Sequence, residues 1–184
     1  MTRQKKRRFA ENILRANLVE SGKDLYDEIK GKWHLKVFTD QQPIVLELGC
    51  GKGEYTVALA KQHPDCNYIG IDIKGARFWR GAKTALEEKL TNVVFIRTQI
   101  ELINHVFAEN EVSEIWLTFP DPQLKFKRTK HRLTNPDFLA KYQAVLSPKG
   151  IVHLKTDSPL LYNFTLKVIE MYGFNDEEDL RKEL

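Results

Sequence analysis

Short apolar runs alternate with amphipathic stretches along most of this chain. Runs rich in β-branched residues predict strands at residues 44–48, 68–73, 93–96, 115–119 and 151–154. Apolar positions at helical spacing predict helices at residues 54–61, 74–90, 101–107, 136–146 and 159–172. Strands that alternate with helices form a mostly parallel, twisted sheet with helices on both faces. We therefore expect an α/β fold.

The first forty residues do not share this alternation. They predict a basic N-terminal extension (residues 1–40) with one or two helices, followed by the main domain at residues 41–184. A length of 184 residues suits one domain of ordinary size. The chain contains no internal repeat and no low-complexity segment.

Composition excludes several classes of protein. No apolar run is long enough to span a bilayer, and the basic N-terminus lacks the apolar core of a secretory signal. The two cysteines, Cys50 and Cys66, are too few for a disulfide framework or a zinc site, so we expect no metal. A reducing cytoplasm is the expected compartment, and both a monomer and a homodimer remain open.

The positive charge of the chain is concentrated in two clusters. The net charge is +4, which is weak evidence by itself, whereas clustered cations are typical of phosphate contacts. The alternative is a solvated terminus and a solvated loop. The clusters are Arg3, Lys5, Lys6, Arg7 and Arg8, and then Lys125, Lys127, Arg128, Lys130 and Arg132.

A glycine-rich stretch directly follows the first predicted strand and precedes a helix. Gly49, Gly51 and Gly53 lie where open α/β sheets bind ligands, and glycines let the backbone approach a ligand closely. In the dinucleotide pattern G-x-G-x-x-G the third glycine comes one residue later, at the position that Glu54 holds here. Glu54 and Glu47 would oppose a pyrophosphate, and a carboxylate suits a ligand that carries an ammonium and a sulfonium.

Polar residues also end the next two predicted strands. Asp72 stands about 20 residues past the glycines, where an acid commonly binds ribose hydroxyls. The alternative role for Asp72 is an N-cap of the helix that begins near Lys74. Gln99 follows the third strand, where an adenine contact is expected.

The fourth predicted strand ends in Phe119-Pro120-Asp121-Pro122. Two prolines fix the backbone around one acid, so Asp121 is expected to project rigidly from the strand end toward the cofactor. The second basic cluster follows at once, which places phosphate-binding charge beside the reacting centre. A simple turn is the alternative interpretation of this tripeptide.

These motifs together resemble the tRNA (guanine-N7-)-methyltransferase family, whose members use S-adenosylmethionine and have a Rossmann-like class I methyltransferase fold. The resemblance covers roughly residues 40–175, and its most specific element is Phe-Pro-Asp-Pro with a basic tail. The matching motifs, in order, are residues 47–53, 68–73, 116–125 and 153–157.

The resemblance implies a role for individual residues. Glu47, Asp72 and Gln99 would contact S-adenosylmethionine together with the three glycines, and Asp121 matches the proposed catalytic acid beside the cofactor. Lys125 and Asp157 match substrate-contacting positions, and we add Lys127 and Arg128 from the basic cluster. The implied activity is methyl transfer to N7 of a guanine in the variable loop of tRNA, a tRNA modification.

The chain departs from the family pattern in places. Gln123 and Leu124 stand where the family usually has Trp and Pro, and Gln99 stands where it often has Asp or Asn. Members continue past the last helix with two more strands, so the C-terminal part of the domain is expected to be missing here.

Three other functions compete with this one. A methyltransferase for small molecules or proteins would not need two basic clusters. An RNA-binding module without catalysis would not need Glu47, the glycines and Asp72 together. A nicotinamide-dependent dehydrogenase would need the longer glycine spacing.

Overall fold

A computed structural model describes residues 2–173 of the chain. One sheet contains all the strands of this range, which are β1 (Leu18–Glu20), β2 (Ile44–Leu48), β3 (Asn67–Ile71), β4 (Val93–Arg97), β5 (Val112–Thr118) and β6 (Leu146–Lys155). Their spatial order is β1-β4-β3-β2-β5-β6, and every neighbouring pair is parallel. The carboxyl ends of all six strands therefore meet at one edge of the sheet.

Helices connect the strands and cover both faces. The α-helices are α1 (Arg3–Ile13), α2 (Asp24–Glu28), α3 (Glu54–Gln62), α4 (Gly75–Glu87), α5 (Ile103–Val106), α6 (Pro136–Val145) and α7 (Pro159–Tyr172). Shorter turns of other helix types are His34–Phe38 (π) and Ile100–Leu102 and Phe126–His131 (both 3₁₀). The predicted α/β class, with a parallel sheet between two helical layers, is confirmed.

Each face of the sheet buries its own apolar cluster. Side chains of α3 and α4 pack on one face, against Val45 and Phe95 among others. Side chains of α5 and α6 pack on the other face, against Leu46 and Ile69. Because side chains alternate along a strand, Glu47 lies on the same face as Val45 and points toward α3.

The predicted strands are all present, but the last two begin earlier than expected. Val112 pairs with Leu146, and the next paired residues are Glu114 and Ile151. The stretch 147–150, between the predicted helix at 136–146 and the predicted strand at 151–154, is therefore an irregularity within β6 rather than a break before it. Pro148 and Gly150 provide the local signal, but pairing with β5 continues on both sides of them.

The first forty residues are part of the sheet and of its core. β1 pairs with β4 and buries Leu18 and Val19, although no strand is predicted there. Trp33 is fully buried, and its indole nitrogen donates to the carbonyl oxygen of Val106 at 2.9 Å. Three residues are too short a run to show a periodic pattern, which is why the sequence does not reveal β1.

Candidate active site

The loop between β2 and α3 turns on glycines. Gly49, Gly51 and Gly53 have φ angles of +75°, +56° and +72°, a region that L side chains seldom adopt. The amides of Gly49 and Cys50 both donate to the carbonyl oxygen of Ile71, at 2.8 and 3.0 Å. The loop is thereby tied to the carboxyl end of β3. A Cβ atom on Gly49 would meet no atom within 4 Å, so the space beside this glycine is open.

Gly53 has a different role from Gly49. A Cβ atom there would lie 2.6 Å from Cζ of Phe95, which stacks on Phe78 beneath the loop. Gly81 of α4 approaches from the other side, and its amide donates to the carbonyl oxygen of Lys52 at 3.0 Å. Gly53 therefore permits close packing of α4 on the loop, the task that the dinucleotide pattern assigns to its third glycine.

The carboxylate of Glu47 is buried between α3 and β5. Thr118 donates a hydrogen bond to its Oε1 at 2.5 Å, and Thr56 donates to its Oε2. Burial raises the pKa of Glu47, while the two hydroxyl donors oppose that rise. The side chain is only 4% exposed, so it lies beneath the loop rather than on an open rim. Its role as a cofactor contact stays a prediction.

Asp72 connects the glycine loop to the start of α4. Its Oδ2 accepts from the amide of Gly51 at 3.1 Å, and its Oδ1 accepts from the amide of Lys74 at 2.7 Å. The second bond is close to the N-cap role considered above, since α4 begins at Gly75. A carboxylate offers about four acceptor positions, so these two bonds leave two positions of the 8% exposed Asp72 unused, and its contact with ribose stays a prediction.

Gln99 is the third polar residue at this edge. It is exposed and lies immediately before the turn Ile100–Leu102. The preceding Thr98 is buried, and its hydroxyl lies 2.7 Å from the hydroxyl of Tyr26. The ends of β2, β3 and β4 thus bring Gly49, Asp72 and Gln99 to one side of the site.

The segment after β5 has an unusual backbone. Phe119 and Gln123 have φ angles of +46° and +49°, which is uncommon for residues other than glycine. Between them, Asp121 is exposed, and its Oδ1 accepts from the amide of Gln123 at 2.9 Å. The amide of Phe119 donates to the carbonyl oxygen of Lys155 at 2.7 Å, which joins this segment to the end of β6.

Arg132 is not part of a phosphate-binding surface, contrary to its assignment to the second basic cluster. It is 7% exposed. Its Nε donates to the carbonyl oxygen of Pro122 at 2.9 Å, and its Nη2 donates to that of Gln123 at 3.3 Å. Its guanidinium carbon lies 4.5 Å from the centre of the Phe164 ring of α7. Both hydrogen bonds end on residues of this segment, so Arg132 holds the Pro-Asp-Pro segment in place.

The other cations of this cluster are exposed around the turn Phe126–His131. Asp157 is also exposed, in the loop between β6 and α7. Since β5 and β6 are neighbours, the loops that carry Asp121 and Asp157 leave the sheet side by side. The exposed cations are Lys125, Lys127, Arg128 and Lys130.

The first basic cluster lies on α1, which packs along α4. Asn12 donates to the carbonyl oxygen of Gly75 at 2.9 Å, and Arg15 donates to that of Trp79 at 2.6 Å. Arg8 donates to the carbonyl oxygen of Ala76 at 3.4 Å, so α1 packs across the first turns of α4. Trp79 is half-buried, and the guanidinium carbon of Arg15 lies 5.2 Å from the centre of its ring.

Comparisons with known proteins show which family the chain resembles. A family model described as "Putative methyltransferase" matches residues 41–183. The tRNA (guanine-N(7)-)-methyltransferase of Christiangramia forsetii is 63% identical over 94% of this chain and 79% of its own length. That of Porphyromonas gingivalis is 56% identical over 79% of this chain, which spans 59% of that relative's length.

The chain belongs to the tRNA (guanine-N7-)-methyltransferase family. This membership confirms the resemblance inferred from the motifs. Solved structures of more distant methyltransferases show the same fold. One described as an antibiotic-related methyltransferase has a TM-score of 0.58 at 18% identity, over 76% of this chain and 73% of its own. Two structures of the 16S rRNA (adenine(1408)-N(1))-methyltransferase of Catenulisporales acidiphilia are each 19% identical to this chain. One has a TM-score of 0.54 over 72% of this chain and 68% of its own, and the other has a TM-score of 0.55 over 71% and 61%.

Some features of this methyltransferase site are invisible to sequence reasoning. The hydroxyl partners of Glu47 and the clamp by Arg132 connect residues far apart in the chain. Within residues 2–173, no group of three or more His, Cys, Asp or Glu side chains is placed to hold a metal ion. No helix in that range is both long and apolar enough to cross a membrane.

Proposed function

We propose that this chain transfers the methyl group of S-adenosylmethionine to N7 of a guanine in the variable loop of tRNA. The observation that carries the proposal is the 63% identity to a relative named for this reaction, over nearly the whole chain. The expected cytoplasmic location, where tRNA is modified, is part of the proposal.

The residues at the ends of β2 and β3 fit the methyl donor. Open space beside Gly49 allows close approach of a ligand to the backbone, and Asp72 retains acceptor positions for ribose hydroxyls. The buried carboxylate of Glu47 supplies negative charge beneath the loop, which favours a cationic ligand over a pyrophosphate. S-adenosylmethionine, when bound, supplies a sulfonium methyl group that an in-line nucleophile can accept.

Asp121 is the residue that we propose acts on the substrate. Guanine N7 has an available lone pair, so no base must first remove a proton. The ring gains positive charge as it is methylated, and a nearby carboxylate stabilises that charge. Asp121 is exposed, and its Oδ1 accepts from the amide of Gln123. Its Oδ2 is then the oxygen that would accept hydrogen bonds from the guanine edge and fix the orientation of the base.

The two basic clusters supply binding to the RNA backbone. Arg3, Lys5, Lys6 and Arg7 are exposed on α1, and the cations of residues 125–130 are exposed after β5. The second group follows the end of β5, so phosphates of a tRNA that places its guanine near Asp121 would lie within its field. The first group adds positive charge on α1.

The test is transfer of labelled methyl groups to a tRNA transcript. A matched transcript carries 7-deazaguanine at the variable-loop position, where a carbon replaces N7. We expect label in the first transcript only. Equal transfer to both would exclude N7 as the target, and transfer to neither would reject tRNA as the substrate.

A further inference from the structure

Three large apolar side chains are exposed within eight residues of each other beside Asp121. Phe119 is 59% exposed, Leu124 is 71% exposed and Phe126 is 91% exposed. Single exposed apolar residues are common on soluble proteins, but grouped ones mark surfaces that contact a partner. Phe126 is the most exposed of the three side chains.

Phe126 is presented by an ordered backbone. The amide of Arg128 donates to the carbonyl oxygen of Lys125 at 2.8 Å. The hydroxyl of Thr129 donates to the carbonyl oxygen of Phe126 at 2.8 Å. The buried guanidinium of Arg132 fastens the preceding residues Pro122 and Gln123. A phenyl ring has only two rotatable bonds, so little conformational entropy is lost when it contacts a partner.

Cations flank Phe126 along the chain. Lys125 and Lys127 are its chain neighbours, and Arg128 and Lys130 follow on the same turn. None of these four forms an ion pair with another residue in the range 2–173. An exposed aromatic ring among free cations matches single-stranded nucleic acid, in which each unpaired base has a flat face and an adjoining phosphate.

We propose that Phe126 is a stacking platform for an unpaired nucleobase of the tRNA next to the methylated guanine. Lys125 and Lys127 bind the phosphates that flank this base. The inference rests on the proposed function and adds a second point of recognition, distinct from the contact between Asp121 and the target base. The stacking contact is non-ionic, whereas the contacts of the lysines depend on salt.

The experiment measures the Kd of a tRNA transcript at several salt concentrations for F126A, F126L, F126Y and K127A. The matched control is L35A, because Leu35 is 74% exposed on the turn that precedes β2, away from the strand ends. We expect F126A to bind on the order of 10-fold more weakly with an unchanged salt slope, and F126Y to bind like the wild type. K127A should lower the salt slope by about one, and L35A should have no effect.

A direct signal comes from F126W, whose tryptophan emission should fall on addition of tRNA by more than that of the wild type. Unchanged melting temperatures would show that F126A is folded. Wild-type affinity of F126A would overturn the proposal, and so would full affinity of F126L, which keeps apolar area without an aromatic face. A change in oligomeric state of F126A without loss of tRNA binding would assign the ring to contact with a second copy of the chain, which also overturns it. If the wild type forms no N7-methyl product but binds tRNA through Phe126, the proposed reaction fails while the stacking site stands.

Discussion

Arg132 donates to the carbonyl oxygen of Pro122 at 2.9 Å and thereby fixes the residue that follows Asp121. A second bond, to Gln123, and the ring of Phe164 complete the surroundings of the guanidinium. A basic residue in a basic segment therefore acts on the loop and not on the substrate. Its neighbour Lys130 is exposed and offers a direct comparison.

We expect R132M to lower kcat by about 10²-fold, because a small misplacement of a positioned group costs about that much. R132K should recover part of the loss, since a lysine can reach one carbonyl but not both. The Kd for S-adenosylmethionine and the salt slope of tRNA binding should stay unchanged. Steady-state kinetics and binding titrations check this, with circular dichroism to verify folding. If R132M instead flattens the salt slope as K130A does and leaves kcat intact, Arg132 is a phosphate contact.

Removal of the Asp121 carboxylate should affect turnover far more than donor binding. D121A is expected to lower kcat about 10²-fold or more, because the positive charge that develops on the guanine loses its partner. Titration calorimetry should give a Kd for S-adenosylmethionine close to that of the wild type. D121N retains the shape and tests charge alone. A D121A variant with full activity at saturating donor would remove Asp121 from the catalytic role.

Two glycines of the same loop should respond differently to alanine. G49A costs about 1–2 kcal/mol of stability for its left-handed backbone, and its new methyl group enters the open space beside the loop. G53A has the same backbone cost and in addition a collision with Phe95, so it should lose clearly more stability than G49A. G49A should lose donor affinity while it stays folded. Urea unfolding and donor titration of both variants check this, and equal stability losses would contradict the packing role of Gly53.

The raised pKa of Glu47 predicts a particular dependence of stability on pH. Burial raises the pKa of Glu47 in the folded state above the unfolded value of about 4.3, so between these two pH values the folded protein binds more protons than the unfolded chain. Stability from this group therefore falls as the pH rises from that value to the raised pKa, and is constant above it. E47Q lacks the titration, so its stability relative to the wild type should increase over the same interval.

Urea unfolding of both proteins between pH 4 and pH 8 measures the difference. E47Q should at the same time bind S-adenosylmethionine more weakly, because it removes a negative charge beneath the loop. If the stability of E47Q relative to the wild type instead decreases as the pH rises, the folded state stabilises Glu47 as the anion. If E47Q binds S-adenosylmethionine as tightly as the wild type does, Glu47 has a structural role through its bonds to Thr56 and Thr118 and is not a cofactor contact.

The fold and much of the site are readable from local sequence patterns. Residues 44–54 show a buried strand, three glycines and a helix start, and each of these depends on neighbours within a few positions. Asp72 and Asp121 stand at strand ends, which are recognisable once the strands are. The departures are equally informative, since β1 is too short for a pattern and residues 147–150 carry turn chemistry inside a paired strand.

The sequence by itself determined the order of the elements, the parallel sheet, the glycine loop and the acids at the strand ends. These follow from periodicity and turn chemistry, which act over short distances along the chain. Only the tertiary contacts show that Glu47 is buried under two hydroxyls, that Arg132 faces the loop, and that α1 packs against α4. These contacts join residues as far apart in the chain as Glu47 and Thr118. Periodicity and turn residues depend on near neighbours in the sequence, so they do not indicate which distant side chains come into contact.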